Sequence, residues 1–369
     1  MLGNKNRPLP AAQSALAIIE RDVANIVDRL GAKLSPLSGA TIVVTGASGM
    51  FGGYLADVAA ALNPLGVLDA PCTVYLATRE MPHIDGRLGH LLGRSDVHFI
   101  VGKDLSASDL PAQADFILHA ASPASPKYFL ADPVGTLDAN SRYLRLLLEL
   151  ARQSEARGFL FVSSSEIYGD PPDQAIPTAE TYAGSIDPGS PRACYAEGKR
   201  FGEALCMAFH RQHNLPVNIV RPFHVHGPGL RLDDGRIVAD LIRAGLAGTP
   251  FTLSSDGTAT RCYGYVSDAA AAAYAALFND PSGEAFNIGV DNPETSILEL
   301  ATIVAEIVGT PPPRASSAPL PPHLANAPRR SRPDLSKART LLGYSPDVAL
   351  REGLSRTIAW HRARNLRGE

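Results

Sequence analysis

Cysteine is scarce, with four residues in a chain of 369, at Cys72, Cys194, Cys206 and Cys262. They are widely spaced and none forms a C-x-x-C pair. That excludes the ligand spacing of a zinc site and argues against a disulfide framework; the plain reading is small buried apolar residues. No apolar run reaches the roughly 18 residues a membrane span requires. Residues 1–10 are polar and lack the apolar core of a signal peptide, so a cytoplasmic protein with no membrane partner is expected. A basic surplus is missing as well. Lys and Arg number 34 against 37 Asp and Glu, a net charge of −3, which argues against a chain held on nucleic acid by bulk charge. What remains is an ordinary globular composition, 45% hydrophobic and 19% charged, in a chain long enough to bury a full core.

Residues 1–10 read as a disordered lead-in. Leu16, Ile19, Val23, Ile26 or Val27, and Leu30 then recur in steps of three and four. That is one apolar face of a helix, which packs onto the main domain or onto a second subunit. From residue 41 the texture changes. β-branched apolar runs occur at 41–45, 73–76, 97–101, 116–119, 158–163 and 217–220, and helical stretches at 52–62, 141–153 and 195–212 separate most of them. This alternation predicts an α/β fold, a doubly wound parallel sheet with right-handed crossovers. After Pro222, Gly- and Pro-rich loops alternate with short helices at 238–247 and 296–308. The Ala-rich run 268–276 reads as helix, and 309–333 as an extended surface stretch. The expected organisation is an N-terminal extension over 1–38 and a dinucleotide-binding domain over 39–222. A smaller C-terminal lobe over 223–369, mainly substrate-binding, returns some segments to the first domain.

The first strand runs into Gly46-Ala-Ser48-Gly49-Met50-Phe51-Gly52 and then a helix. Glycines at this spacing let the backbone turn tightly and approach a pyrophosphate, and the helix N-terminus offers free N–H groups to it. The end of the second strand reads Ala77-Thr78-Arg79, with no carboxylate for a ribose 2′-hydroxyl. Arg79 there could neutralise a 2′-phosphate or be a solvated loop charge, so NADP stands beside NAD as the expected cofactor. Asp104 and Leu105 after the third strand, and His119, Ala120 and Ala121 closing the fourth, complete the candidate cofactor contacts.

Tyr195-Ala-Glu-Gly-Lys199 sets a phenol and an ammonium on one face of a helix. A nearby ammonium lowers a phenol from its ordinary value near ~10, so that it can take an alcohol proton while hydride leaves the same carbon. Upstream, Ser163-Ser164-Ser165-Glu166 follows a strand, on the ligand edge of an open α/β sheet. Ser164 is the candidate to bond the reacting alcohol, and Glu166 to handle a second proton or order water. His224 and His226 make a poor metal pair, because no carboxylate supports them.

Together these residues resemble the extended short-chain dehydrogenase/reductase superfamily, the NAD-dependent epimerases and dehydratases with a Rossmann-type fold. The resemblance spans about residues 40–359. It is nearest to UDP-glucuronate decarboxylases, through His119-Ala-Ala-Ser122-Pro-Ala-Ser-Pro, Ser163-Ser-Ser-Glu-Ile-Tyr-Gly-Asp170, Pro191-Arg192-Ala-Cys-Tyr195-Ala-Glu-Gly-Lys199-Arg200, Asp234-Gly-Arg236, Thr260-Arg261 and Arg332-Pro-Asp334. The resemblance implies a Ser164–Tyr195–Lys199 triad, an active-site pair Ser165-Glu166, and substrate contacts at Ser122, Arg192, His224, Arg236, Arg261 and Arg332. It also implies a nucleotide-sugar substrate, transient oxidation at C4, and a homodimer built on helices 141–153 and 195–212. Decarboxylation leads, C4 or C5 epimerisation is the alternative, and a non-catalytic nucleotide binder is a third reading. Sugar 4,6-dehydratases carry Asp-Glu where this chain has Ser165-Glu166, so dehydration is disfavoured. Departures cluster in the substrate lobe: His224 for an asparagine, Gly229 for an arginine, Ser254 for a tyrosine, Ser331 for an arginine and Gly135 for a lysine.

Overall fold

The computed structural model describes residues 11–249, 251–311, 313–316 and 328–365. The lead-in expected over 1–10 and residues 312 and 317–327 of the extended stretch lie outside the described residues. In chain order come α1 (Ala11–Leu30), β1 (Thr41–Thr45), α2 (Met50–Leu65), β2 (Thr73–Thr78), β3 (Val97–Val101), β4 (Phe116–His119), α3 (Pro126–Ala131), α4 (Pro133–Asn140), α5 (Arg142–Gln153), β5 (Gly158–Val162), α6 (Ala193–His213) and β6 (Val217–Pro222). There follow α7 (Ile237–Leu246), β7 (Thr260–Arg261), α8 (Val266–Leu277), β8 (Ala285–Ile288), β9 (Thr295–Ser296), α9 (Ile297–Val308), β10 (Arg330–Ser331), α10 (Ser336–Leu342) and α11 (Leu350–Asn365).

The β-branched runs pair as expected. Seven strands form one sheet in the order β3-β2-β1-β4-β5-β6-β8, every neighbouring pair parallel. Such strands are buried on both faces. Along β1, Val43 packs with Leu144, Leu148 and Phe209 of α5 and α6, while Ile42 and Val44 pack on the other side with α2 and α8. Strand order reverses between β1 and β4, and the crevice at the carboxyl ends there is where doubly wound sheets take ligands. A small sheet, β10-β7-β9, stands apart in the C-terminal region. Two features depart from expectation. β8 joins the sheet beside β6, and the helix expected from 141 is preceded by a separate α4 that ends at Asn140. Among the described residues no helix is long and apolar enough to cross a membrane.

Helix α1 lies on the main body, against α2, α8 and α11. Its apolar stripe, Ile19, Val23, Ile26 and Leu30, is buried, and Asp22 is buried beside it. The Asp22 carboxylate accepts hydrogen bonds from Tyr54 Oη of α2 (2.7 Å), Tyr265 Oη ahead of α8 (2.6 Å) and Arg356 Nη1 of α11 (2.7 Å). One carboxylate therefore ties four segments together. Burial raises its pKa, and the three donors oppose that shift. Removing it strands two phenols and a guanidinium. Asp22→Ala is expected to lower stability by about 3–5 kcal/mol, and Asp22→Asn by less, read as the shift of the denaturation midpoint at constant slope.

Candidate active site

β1 ends at Thr45, and the chain turns at Gly46 with φ +72°, where a Cβ would lie 2.7 Å from the Ala120 backbone. A Cβ on Gly52 would lie 2.3 Å from the Gly46 carbonyl oxygen, so α2 is seated directly on the loop. Gly49 caps α2 through its backbone alone, and the first turn holds no acid. The early N–H groups of Met50, Phe51 and Gly52 are thus available to an anion, with Ser48 and Gly49 exposed beside them. This cradle fits a dinucleotide pyrophosphate. Thr78 is buried and donates to the Glu80 carbonyl (2.9 Å), while Arg79 is exposed. Asp104 accepts from Tyr143 Oη, and Leu105 packs near Gly102.

His119 closes β4 with its ring turned into the protein. Its Nε2 donates to the Ala139 carbonyl (3.1 Å), which leaves Nδ1 to accept from Thr45 Oγ1 (2.7 Å). Burial, with Lys199 nearby, pushes it down to about 3, so the ring is neutral and both nitrogens are committed within the protein. Ala120 and Ala121, half-buried, follow it at the sheet edge.

The catalytic candidates meet at the end of β5. Ser164 Oγ accepts from the Glu166 N–H (3.2 Å), and its hydroxyl stands near enough to the Tyr195 phenol to favour the ionised form. Ser165 opens the short 3-10 turn that carries Glu166. The Tyr195 ring stacks on Phe129, centroids 5.3 Å apart, a neighbour the sequence reading missed although Phe129 follows the helix-starting Pro126. Burial pushes Tyr195 up to about 12; Ser164, Arg236 and Arg192 oppose this, and Glu166 adds to it. Lys199 shares the helix and is buried. Its ammonium donates to the Val162 carbonyl (2.6 Å) above the Phe161 ring, and burial pushes it down to about 7. Arg236 and Arg192 are further cations that favour a phenolate here, beside the Lys199 to which the sequence pattern assigns that role.

Cations gather around this set. Arg192 pairs with Glu166 (2.7 Å), and Arg236 Nε bonds Asp234 (2.7 Å). Arg261 is buried and forms no ion pair among the described residues; it donates to the carbonyls of Thr260 (2.7 Å), Arg329 (3.2 Å) and Pro328, and burial lowers its pKa against the opposing pull of Glu166 and Asp170. Arg332 Nε is buried without a partner among the described residues. His224 sits at φ +42°, a left-handed backbone that a histidine adopts only when its surroundings hold it. Its Nε2 has no partner, and burial with Arg261 and Arg236 pushes the ring down to about 3. Ser165, Glu166, Phe223, His224 and Ser331 line one narrow cleft, and Ser122 accepts from Asn140 Nδ2 (3.0 Å). His226 diverges from His224, with its ring against Tyr265.

One further residue had no signal in the sequence. A Cβ on Gly229 would lie 3.3 Å from Arg87 Nε and equally close to Met50 Cα. Arg87 is paired with Asp57 of α2, so its side chain fills the space that an arginine at 229 would enter.

Residues 42–289 match the NAD dependent epimerase/dehydratase family. The chain belongs to that family. Among its relatives, UDP-glucuronic acid decarboxylase 1 of Arabidopsis thaliana is 36% identical over 327 residues, 88% of this chain and 70% of that one. Its namesake from Xenopus tropicalis is 34% identical over 329 residues, 87% and 72% of the two chains. Among solved structures of the family, UDP-glucuronic acid 4-epimerase from Bacillus cereus, in complex with UDP-glucuronic acid and NAD, is similar at TM-score 0.72 and 28% identity, covering 87% of this chain and 99% of that one. UDP-glucose 4-epimerase from Thermotoga maritima gives TM-score 0.73 and 26% identity over 87% and 98%.

A buried ammonium shifted down to about 7 destabilises the fold. Below that pH both folded and unfolded chains hold the proton, and the full penalty is felt. Above it the unfolded chain alone keeps the proton up to about 10.5, so stability rises with pH across that window. Lys199→Met is expected to abolish turnover yet raise stability at pH 6–7 by on the order of 1–3 kcal/mol. The gain should shrink steadily toward pH 10 when melting is followed across pH.

Proposed function

We propose that the protein decarboxylates a UDP-glucuronate-like nucleotide sugar through transient oxidation at C4. The observation that carries this reading is the seating of Ser164 and Tyr195 together at the end of β5, beside the Arg192–Glu166 pair and a buried Arg261 that forms no ion pair among the described residues. An anionic sugar supplies the missing negative charge. A nicotinamide dinucleotide held by the loop from Gly46 to Gly52 would supply reversible hydride transfer at C4. Tyr195 takes the C4 hydroxyl proton, with Ser164 orienting that hydroxyl. The resulting ketone stands β to the C5 carboxylate, so CO2 leaves with its electron pair drawn into the ketone. Arg192 holds Glu166, which orders water or returns a proton at C5. Arg236, Arg261 and Arg332, with Ser122 and His224, hold the diphosphate and sugar. The relatives named as UDP-glucuronic acid decarboxylases support this substrate, and the free cysteines suit a reducing, cytoplasmic setting.

Incubation of the purified protein with UDP-glucuronate is expected to give a product lighter by 44 Da, the mass of CO2, seen by mass spectrometry. An unchanged mass with altered retention would mean epimerisation instead. Tyr195→Phe is expected to lose at least about 10³-fold in kcat while still retaining dinucleotide, because only the proton-transfer group is removed. Unchanged turnover would end the assignment.

A homodimer is part of the proposal. Val134 and Leu137 of α4 and Phe201 of α6 are exposed apolar side chains, and a groove of about 420 Å³ lined by Leu130, Leu137 and Cys194 adjoins them. Sedimentation is expected to give about twice the chain mass of 39.0 kDa, and Phe201→Glu to shift the population toward that single mass.

A further inference from the structure

β2 and β3 pair in parallel register, Thr78 opposite Val101, and the Gly102 N–H donates to the Thr78 carbonyl (3.0 Å). The chain therefore leaves the sheet at neighbouring points, with Arg79 following one strand end and Lys103 the other. Both side chains are exposed, and among the described residues neither has an ion pair or a hydrogen bond. The strand end itself holds Thr78, buried and committed to the Glu80 carbonyl (2.9 Å). A doubly wound site that prefers NAD sets a carboxylate at this point, where it accepts the ribose 2′-hydroxyl and repels a 2′-phosphate. Here no acceptor stands at the strand end, and two unneutralised cations flank it. Of the nearby acids, Asp104 already accepts from Tyr143, and Glu80 lies two residues past the strand.

We propose that this edge is a 2′-phosphate subsite, with Arg79 as its principal ligand and Lys103 as a second cation, and that the dinucleotide held by this protein is NADP rather than NAD. A guanidinium bonds a phosphate through two parallel N–H donors, which suits Arg79 to the task better than a point charge. The solved neighbour from Bacillus cereus contains NAD, so the proposal separates this chain from that structure in cofactor while leaving the C4 chemistry unchanged. It rests on the dinucleotide reading given under the proposed function.

Two measurements on the purified full chain decide it. Nucleotide released on acid denaturation is identified by mass, and NADP⁺ and NAD⁺ are titrated calorimetrically into wild type, Arg79→Gln, Thr78→Asp and Glu80→Gln. The expected result is NADP in the released fraction wherever nucleotide co-purifies, and NADP⁺ binding at least about tenfold tighter than NAD⁺. Arg79→Gln should weaken NADP⁺ by about tenfold and leave NAD⁺ within about twofold. Thr78→Asp should reverse the preference, and Glu80→Gln should change neither affinity by more than about twofold. NAD⁺ binding as tightly as NADP⁺ or tighter would overturn the proposal. So would a loss of NAD⁺ affinity in Glu80→Gln, which would make Glu80 the ribose acceptor. Both outcomes leave the nucleotide-sugar reading standing. Binding of neither dinucleotide would overturn the proposal and that reading together.

Discussion

Desolvation around the carboxyl end of β5 is the largest influence on four titratable groups of the site. Burial pushes the Tyr195 phenol up and the Lys199 ammonium down, and it lowers His224 and Arg261 as well. Each of these shifts works against charge. A phenol left to such a pocket favours its neutral form, which cannot take a proton off an alcohol. Charge has to be stabilised by partners, and the protein supplies cations in excess of acids: Arg192 and Arg236 each pair with one carboxylate, while Arg261 forms no ion pair among the described residues. The imbalance is the electrostatic counterpart of an anionic ligand. The same pocket that penalises the isolated groups makes their interaction with a bound sugar strong, because little water screens it.

That pocket exists only if α2 and α6 are held against the sheet. α6 is fixed by the apolar contacts of Cys206 and Phe209 with the β5 and β6 side chains, and by the Arg221–Glu203 ion pair at 2.6 Å. α2 is fixed on its inner side by the absence of a side chain at Gly52 and on its outer side by Tyr54, which reaches Asp22 of α1. The N-terminal helix is thus coupled to the cofactor loop through a single residue of α2, and its position on the main body follows from that buried carboxylate as much as from its apolar stripe.

How legible this was depended on whether the signal was local. β1 and the glycine loop were readable because both a β-branched run and a G-x-x-G-x-x-G spacing are properties of a few consecutive residues. Tyr195 and Lys199 were readable as a pair on one helix face for the same reason. The hydrogen bond from Lys199 to the Val162 carbonyl, 37 residues away, was not, because spacing fixes where Lys199 leaves the helix and not where a four-carbon stem delivers its ammonium. β8 escaped notice since only four residues, Ala285–Ile288, pair with β6 across a long intervening segment. The commitment of His119 to Thr45 and Ala139 was equally invisible, because both partners are distant in the chain.

The departures from the family pattern become intelligible as exchanges rather than losses. Gly229 lacks the side chain that the pattern carries, and Arg87 enters the same volume from the loop after β2, bringing a guanidinium to Asp57 of α2. A side chain at 229 would press on Arg87 Nε and Met50 Cα, on a backbone at φ +89° that a side chain strains. Asp57 is kept below the usual carboxylate range by that guanidinium and by His90, despite complete burial. Without Arg87 the same carboxylate would be a buried charge beneath the cofactor helix, leaning on the weaker His90 contact alone. The cation therefore had to be retained there in some form. The glycine, in turn, leaves room beside Met50, where the first free N–H of α2 lies. By this logic a substitution at Gly229 acts on α2 and its cradle before it acts on the sugar, although Gly229 lies in the lobe that the sequence pattern assigns to substrate.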